Sequence, residues 1–253
     1  MESPGKLDKQ DISPELIEVL KRMRRWLEPL LHMPAGIPGE IISGPPLKAK
    51  CQIAWFNNIS GITSQLTHYI PDELKTEEFR RRVSEADQLT YDLQMRVTDP
   101  ETERRLTTLE DIRKGEELIQ YFLEKIDRLL LPVRLRQYRD RMQSLLDDFI
   151  DEIPETFVAT GGVKYKCQWN WFQGLVADTQ GFDCDLPKEL KSEEFKRKTN
   201  EVLRLIRSLH DREPDPDPKF CGQARTLPED IEKANELLRF FIGEIDRLLA
   251  KTP

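Results

Sequence analysis

The chain contains one stretch twice, and this repetition constrains its fold more than any other feature of the sequence. Residues 48–56 read KAKCQIAWF, and residues 164–172 read KYKCQWNWF. Both copies place two lysines, a cysteine and a glutamine ahead of a tryptophan–phenylalanine pair, and Cys167 follows Cys51 by 116 positions. Six identities in nine residues, with unlike residue types in the same order, indicate an internal duplication.

A second repeated stretch extends the match along the chain. The sequence LEDIRKGEELIQYFLEKIDRLL ends at Leu130, and PEDIEKANELLRFFIGEIDRLL ends at Leu249, 119 positions later. A chain of 253 residues accommodates two units of about 120 residues, a common domain size, and each can bury its own core. We therefore predict a first helical repeat unit at 1–132 and a second at 133–253, with Pro132 between them.

Apolar residues recur along both copies at three- and four-residue steps, which is the period of a helix with one buried face. The stripes of the first copy are Leu16–Leu30, Trp55–Leu66, Phe79–Val97 and Ile112–Leu129, and matching stripes follow in the second copy. No segment of any length shows the alternation of a strand. The predicted fold class is all-α, a tandem duplication of two four-helix-bundle-like units, with Phe122 and Phe241 deeply buried.

Residues that favour helix ends separate these stripes. Ser13, Thr76 and Ser192 stand where a hydroxyl would cap the following helix. Capping boxes are predicted at Thr107–Glu110 and Thr226–Glu229, because a threonine precedes a glutamate by three residues in both copies. The repeated motif is expected to begin the second helix of each unit, near positions 48 and 164. Three prolines alternate with acidic residues within 213–219, which predicts a loop there.

Composition narrows the classes of function. The formal net charge is −7, and an acidic surface argues against a dedicated duplex-DNA binder, which needs a positive field. No run of about 18 apolar residues predicts a membrane span. The first residues lack the apolar segment of a signal peptide. The four cysteines form no CxxC pair, so we expect no metal, no cofactor and no disulfide framework, and a cytoplasmic location.

The candidate binding residues are the two lysines, the glutamine and the tryptophan that both copies of the motif share. They are Lys48, Lys50, Gln52, Trp55, Lys164, Lys166, Gln168 and Trp171. Lysines beside an aromatic ring form a recognition patch for a phosphate, a carboxylate or a partner helix. Alternatively, the cysteine and the aromatic rings fill the core while the lysines border it and stay in water. Both interpretations predict that charge reversal of the lysines leaves the melting temperature almost unchanged.

Two other features of the sequence indicate a function less directly. Basic runs flank Trp26, within 21–25, and recur at 80–82 and 196–198; in a helix they are typical of a solvated face, or of contact with RNA or anionic lipid. Arg204 and His210 are separated by five residues, which resembles the RNase motif of HEPN domains, themselves helical bundles. The first copy has glutamines at both aligned positions. No catalytic residue is assigned.

The sequence thus predicts a cytoplasmic, non-enzymatic protein that binds another macromolecule, most simply another protein, as an adaptor or regulator. One alternative is a protein that binds RNA or a single nucleic-acid strand, with or without nuclease activity, through the motif's lysines and the arginine runs. Another is a small-ligand sensor with a pocket lined by Trp55 or Trp171. The oligomeric state is left open.

Overall fold

The protein is all-α within the residues that a computed structural model describes, which are 12–36, 47–96, 107–148, 166, 169–213 and 226–251. These ranges contain seven α-helices, two single-turn 3-10 helices and no strand, so the predicted all-α class is confirmed. The helices are α1 (Pro14–Leu31), α2 (Ile53–Tyr69), α3 (Glu77–Met95), α4 (Leu109–Asp147), α5 (Trp169–Asp185), α6 (Glu193–His210) and α7 (Pro228–Lys251). The 3-10 turns, Asp72–Leu74 and Lys188–Leu190, precede α3 and α6.

The first compact unit extends to Leu130 and contains α1, α2, α3 and the first part of α4. Its core draws on all four helices, because each presents one apolar stripe to the others. Among its fully buried side chains are Leu20, Met23, Leu27, Trp55, Phe56, Phe79 and Phe122. The prediction that Phe122 is deeply buried is confirmed, since its side chain is 0% exposed.

The second compact unit begins at Leu131 and contains the rest of α4 together with α5, α6 and α7. Its fully buried side chains include Met142, Trp171, Phe172, Phe182, Phe195 and Phe241. Phe241 is as deeply buried as Phe122, in agreement with the prediction from its place in the apolar stripe. Phe241 also forms an edge-to-face contact with Phe195, with ring centroids 5.6 Å apart.

Three helices begin at the predicted hydroxyl caps. The Ser13 side chain accepts a hydrogen bond from the Leu16 amide at 3.2 Å. Thr76 and Ser192 accept from the amides three residues ahead, at 3.1 and 3.0 Å. These hydroxyls satisfy N–H groups that have no partner within the helix, so the prediction of all three caps is confirmed.

The helices after the repeated motif begin later than predicted. α2 begins at Ile53 rather than near position 48, and α5 begins at Trp169 rather than near position 164. In the first unit the reason is visible in the backbone. The amides of Lys50 and Cys51 donate to the carbonyls of Pro34 and Ala35, at 2.9 and 3.1 Å. These amides bond to an earlier segment, and the start of the motif is therefore a loop that docks against the end of α1.

The sequence predicted that Pro132 lies between the two units, which suggested a helix break there. The structure shows no break at this residue. Pro132 lies inside α4, which runs without interruption over 39 residues. A proline inside a helix lacks one N–H donor and costs about 3 kcal/mol relative to alanine. Buried leucines on either side of it, Leu130, Leu131 and Leu135, offset this cost, since most helical stability in proteins comes from packing of the apolar face.

The predicted capping boxes lie one residue too early. At the start of α4 the Thr108 hydroxyl accepts from the Asp111 amide at 3.1 Å, and the Asp111 carboxylate accepts from the Thr108 amide at 2.7 Å. At the start of α7 the Asp230 carboxylate accepts from the Leu227 amide at 2.7 Å. The Thr107 hydroxyl is buried and donates instead to the Cys51 carbonyl at 3.2 Å. Of the predicted loop at 213–219, all but Glu213 lies outside the described residues.

Candidate functional site

The motif tryptophans are structural anchors in the cores. Trp55 and Trp171 are both 0% exposed. Their indole N–H groups donate to the backbone carbonyls of Leu30 and Leu145, at 3.0 and 2.9 Å. Each carbonyl lies in the last turn of its helix, where carbonyls lack helical partners, and the residue four positions after Leu30 is a proline. Each indole therefore joins a helix end to the core.

Lys50 is buried rather than solvated. Its side chain forms an ion pair with Glu116 of α4, and the residue is 7% exposed. Lys48, two residues earlier, is exposed. The expectation that the motif lysines stay in water is thus wrong for Lys50. Its ammonium holds the loop before α2 against α4, and removing one partner of such a pair leaves the other charge uncompensated.

Gln52 organises the same loop. Its side-chain oxygen accepts hydrogen bonds from the backbone amides of Lys48 and Ala49, the latter at 3.1 Å. Gln52 is 1% exposed, so its amide group is used within the unit. Cys51 beside it is also buried and carries a thiol rather than a disulfide. The polar residues of the first motif therefore shape a turn.

Lys166 occupies the position of Lys50 in the second copy but has different partners. Its ammonium donates to the Leu146 carbonyl at 2.6 Å and to the Asn235 side-chain oxygen at 3.2 Å. Asn235 follows Glu116 by the 119-residue offset of the repeat, so an amide replaces the carboxylate of the first unit. Burial lowers the pKa of Lys166, although nearby Asp148 acts in the opposite direction. Lys166 is 5% exposed, and the expectation of a solvated lysine is wrong here too.

Five of the six described candidate residues are therefore buried, namely Lys50, Gln52, Trp55, Lys166 and Trp171. Lys48 is exposed, and Lys164 and Gln168 lie outside the described residues. In the first unit these buried side chains connect the loop before α2 with the end of α1 and with α4. In the second unit they connect the residues before α5 with the end of α4 and with α7. Packing and internal hydrogen bonds thus account for their recurrence, which the sequence interpretation had left open.

The other sequence candidates lie on helix surfaces. Arg204 and His210 are exposed on α6, and the His210 ring contacts Asp211, with Nδ1 and Oδ1 3.2 Å apart. Glutamates of the same helix pair with arginines in the basic runs at 80–82 and 196–198: Arg81 pairs with Glu85 at 2.9 Å, and Arg197 with Glu201 at 3.2 Å. Such pairs are typical of a solvated helix face.

Two partly buried ion pairs were missed by the sequence reasoning. Arg96 forms a two-pronged bond to Asp111, at 2.7 and 3.1 Å, and Arg212 forms the same bond to Asp230, at 2.7 and 2.9 Å. Burial alone would raise the pKa of Asp111, but hydrogen bonds from Arg96 and Thr108 bring it below its ordinary value. The sequence did contain a signal for these pairs, because Arg212 follows Arg96 by 116 positions and Asp230 follows Asp111 by 119, which are the offsets of the repeat.

An open groove lies between α1 and α2 of the first unit. Its volume is about 430 Å³, and its lining includes Arg25, Trp26, Ile62 and the side-chain amides of Asn57, Asn58 and Gln65. The Trp26 ring is 44% exposed, which is unusual for a large aromatic side chain. The Arg22 guanidinium lies 5.3 Å from the Trp26 ring centroid, within cation–π range.

The same place in the second unit carries an ion pair instead of a tryptophan. Arg141 and Asp178 follow Trp26 and Ile62 by 115 and 116 residues, and their side chains pair at 2.6 Å. Arg141 also lies 4.6 Å from the Tyr138 ring, and the Tyr138 hydroxyl donates to Asp185 at 2.8 Å. Burial and this hydrogen bond to Asp185 raise the pKa of Tyr138 to about 12. Within the described residues, an exposed tryptophan stands at this place only in the first unit.

Comparison with known proteins identified no similar protein. No protein-family model, curated protein or solved structure matches the chain. Among the described residues, no group of three or more histidine, cysteine, aspartate or glutamate side chains is arranged to hold a metal ion. No helix in the described ranges is apolar over a length that could cross a membrane. The exposed indole makes the groove around Trp26 a candidate binding site.

Proposed function

We propose that this protein is a non-enzymatic, cytoplasmic adaptor or regulator that binds another protein at the groove around Trp26. The observation that carries the proposal is the contrast between the two units. One presents an exposed indole between two helices, and the other has the Arg141–Asp178 ion pair at the same place. Aromatic and arginine side chains in a concave surface are the residues that most often dominate the energy of protein interfaces.

We also propose that the chain is a tandem duplication of two four-helix units, one of which has kept a binding surface. Contacts that recur at matching positions support this origin. They are Trp55–Leu30 and Trp171–Leu145, Arg24–Asp127 and Arg139–Asp246, Arg96–Asp111 and Arg212–Asp230, and the caps Thr76–Phe79 and Ser192–Phe195. In this proposal the first unit binds the partner and the second unit has a supporting role.

The cytoplasmic location rests on cysteine chemistry. Cys51 is buried and Cys184 is exposed, and both carry thiols rather than disulfides. An exposed thiol persists most readily where glutathione keeps proteins reduced. Fractionation of cells that express the tagged chain is the direct test.

A capture experiment tests the binding function. The full chain, Trp26→Ala and Tyr91→Ala are immobilised and exposed to nuclease-treated lysate of the source organism. Tyr91 is the matched control, because it is an exposed aromatic of α3, 54% accessible, that does not line the groove. We expect a protein that binds the wild type and Tyr91→Ala but is lost from Trp26→Ala.

The salt dependence of capture separates this proposal from its rival. Nucleic-acid binding weakens steeply between low and physiological salt because many condensed counterions are released, whereas an interface centred on one indole with two flanking arginines should weaken less. Capture that disappears with nuclease, or that falls steeply with salt and ignores Trp26, would contradict the proposal.

A further inference from the structure

The charges around Trp26 are not balanced within the protein. Neither Arg22 nor Arg25 forms an ion pair with any described residue, and the Nε atom of Arg22 is buried without a hydrogen-bond partner. The neighbouring Arg24 is fully engaged, with Glu28 at 2.8 Å and Asp127 at 2.9 Å. Two guanidinium groups therefore flank an exposed indole, and no carboxylate in the described part of the chain neutralises them.

The groove itself supplies no carboxylate. Its lining combines Arg25 and Trp26 with the side-chain amides of Asn57, Asn58 and Gln65, and Gly61 leaves open space where a β-carbon would lie. Amide groups along α2 are suited to hydrogen-bond an extended backbone, while the indole and the buried Ile62 offer an apolar contact. This combination fits an occupant that brings both negative charge and one apolar side chain.

The second unit has lost this charge pattern together with the aromatic ring. Gln137 and Asp140 stand at the repeat positions of Arg22 and Arg25. The cation there, Arg141, is neutralised by Asp178 at 2.6 Å. The two arginines and the exposed indole are therefore present together in the first unit and absent together from the matching positions of the second.

We propose that the groove between α1 and α2 binds a short acidic peptide segment of a partner protein, with carboxylates at Arg22 and Arg25 and an apolar anchor residue on Trp26. This inference rests on the proposed function and specifies its partner. Charge-assisted hydrogen bonds from arginine to carboxylate are among the strongest available at a surface, and arginine presents its donors in a fork that matches a carboxylate.

A peptide suits this surface better than a nucleic acid. Binding along a strand needs a positive groove that follows several phosphates. The basic runs elsewhere on the protein are neutralised by glutamates, as with Arg81–Glu85 and Arg197–Glu201, and the net charge is −7. Two unpaired cations match two carboxylates of a peptide rather than a phosphate track.

The test is selection from a displayed library of random 12-residue peptides on the full-length chain, followed by affinity measurements on the selected peptides. We compare wild type with Trp26→Ala, with Arg22→Gln plus Arg25→Gln, and with Arg141→Ala as the control in the second unit. We expect acidic peptides with an aromatic or aliphatic anchor. Their affinity should fall about tenfold or more in each of the first two variants and stay unchanged in the control.

Melting curves establish that each variant is folded. If the double arginine variant is not, Arg25→Gln alone replaces it, since Arg25 is exposed. Selected peptides that depend on Trp26 but are neutral or basic would overturn the acidic-peptide inference and leave the proposed function standing. A library without Trp26-dependent binders would overturn both. Trp26-dependent binding of a fluorescent 12-nucleotide oligouridine, with no peptide selected, would assign the groove to nucleic acid instead.

Discussion

At the scale of single residues, Lys50 and Lys166 occupy the same motif position but differ in the group that receives the ammonium. Glu116 pairs with Lys50, whereas Asn235 and a backbone carbonyl receive Lys166. Burying an ammonium without a carboxylate disfavours its charged form. The two copies therefore place the same residue type in different electrostatic environments.

Replacing Lys50 should destabilise the protein, although Lys48 beside it is dispensable. Lys50→Glu places a carboxylate against Glu116 in a largely buried position, and we expect a loss of about 2–4 kcal/mol, somewhat less than for a fully buried pair. Lys48→Glu is the matched exposed control and should not shift the unfolding midpoint. Urea unfolding of both variants makes the comparison. Equal midpoints would mean that the ion pair does not hold the loop.

Lys166 should make stability depend on alkaline pH. Because burial lowers its pKa in the folded state below the ordinary 10.5, the unfolded chain binds more protons in the window between the folded value and 10.5. Stability therefore rises with pH across that window. The unfolding free energy of the wild type minus that of Lys166→Met, measured from neutral pH to pH 10.5, should increase. A difference that stays flat or decreases would show that the folded-state pKa is not lowered.

At the scale of helices, the starts of α4 and α7 are each fixed by a carboxylate and an arginine from the end of the preceding helix. Asp111 caps α4 and binds Arg96, and Asp230 caps α7 and binds Arg212. Each aspartate thus satisfies an amide at a helix N-terminus and closes the connection from the helix before it.

The capping aspartates should matter more than the glutamates that the sequence favoured. Asp111→Asn loses the charge that holds Arg96 and should cost about 1–3 kcal/mol, and Asp230→Asn should act similarly. Glu110→Gln, on the exposed surface, should leave the midpoint unchanged. The pKa of Asp111 is lowered by its partners, so its contribution is present above pH 3.8 and is lost as pH falls towards the folded value. Acid unfolding of Asp111→Asn that matches the wild type would contradict this.

The packing of α4 on α2 depends on the absence of a side chain at Gly115. A β-carbon there would overlap the Trp55 ring, so Gly115→Ala should destabilise the first unit by about 1–3 kcal/mol through overpacking. Gly61 is the matched control, because it also lies within a helix and faces open space. Gly61→Ala should stabilise the protein by up to about 1 kcal/mol. Thermal melts of the two variants should shift in opposite directions, and a shared direction would refute the packing argument.

At the scale of the whole molecule, each unit has its own core. The buried cluster around Phe122 draws its residues from the first unit, and the cluster around Phe241 draws its residues from the second. α4 supplies residues to both clusters, on either side of Pro132. A defect in one core should therefore be felt first in the helices that line it.

Truncation of a core phenylalanine should weaken the unit that contains it. Phe122→Ala and Phe241→Ala should each cost about 3–5 kcal/mol, because neighbouring side chains only partly fill the cavity. Amide hydrogen exchange should increase in α1 to α3 for the first variant and in α5 to α7 for the second. Equal acceleration of exchange throughout the chain in both variants would show that the two cores unfold together.

The sequence by itself determined the helical class, the apolar stripes and three of the helix caps. These depend on local periodicity and on bonds between residues three positions apart, such as Ser13 and Leu16. Burial of Phe122 and Phe241 was predictable for the same reason, since an apolar residue in the middle of a stripe is driven out of water wherever the stripe packs.

Only the tertiary structure decided which polar residues serve the scaffold and which remain at the surface. The carboxylate of Glu116, which pairs with Lys50, lies 66 positions away along the chain. The carboxylate of Asp127, which pairs with Arg24, lies 103 positions away. A lysine or arginine carries no local sign of such a partner, because charge pairing is set by the packing of distant helices. For the same reason the motif lysines Lys50 and Lys166, which are buried, were expected to stay in water.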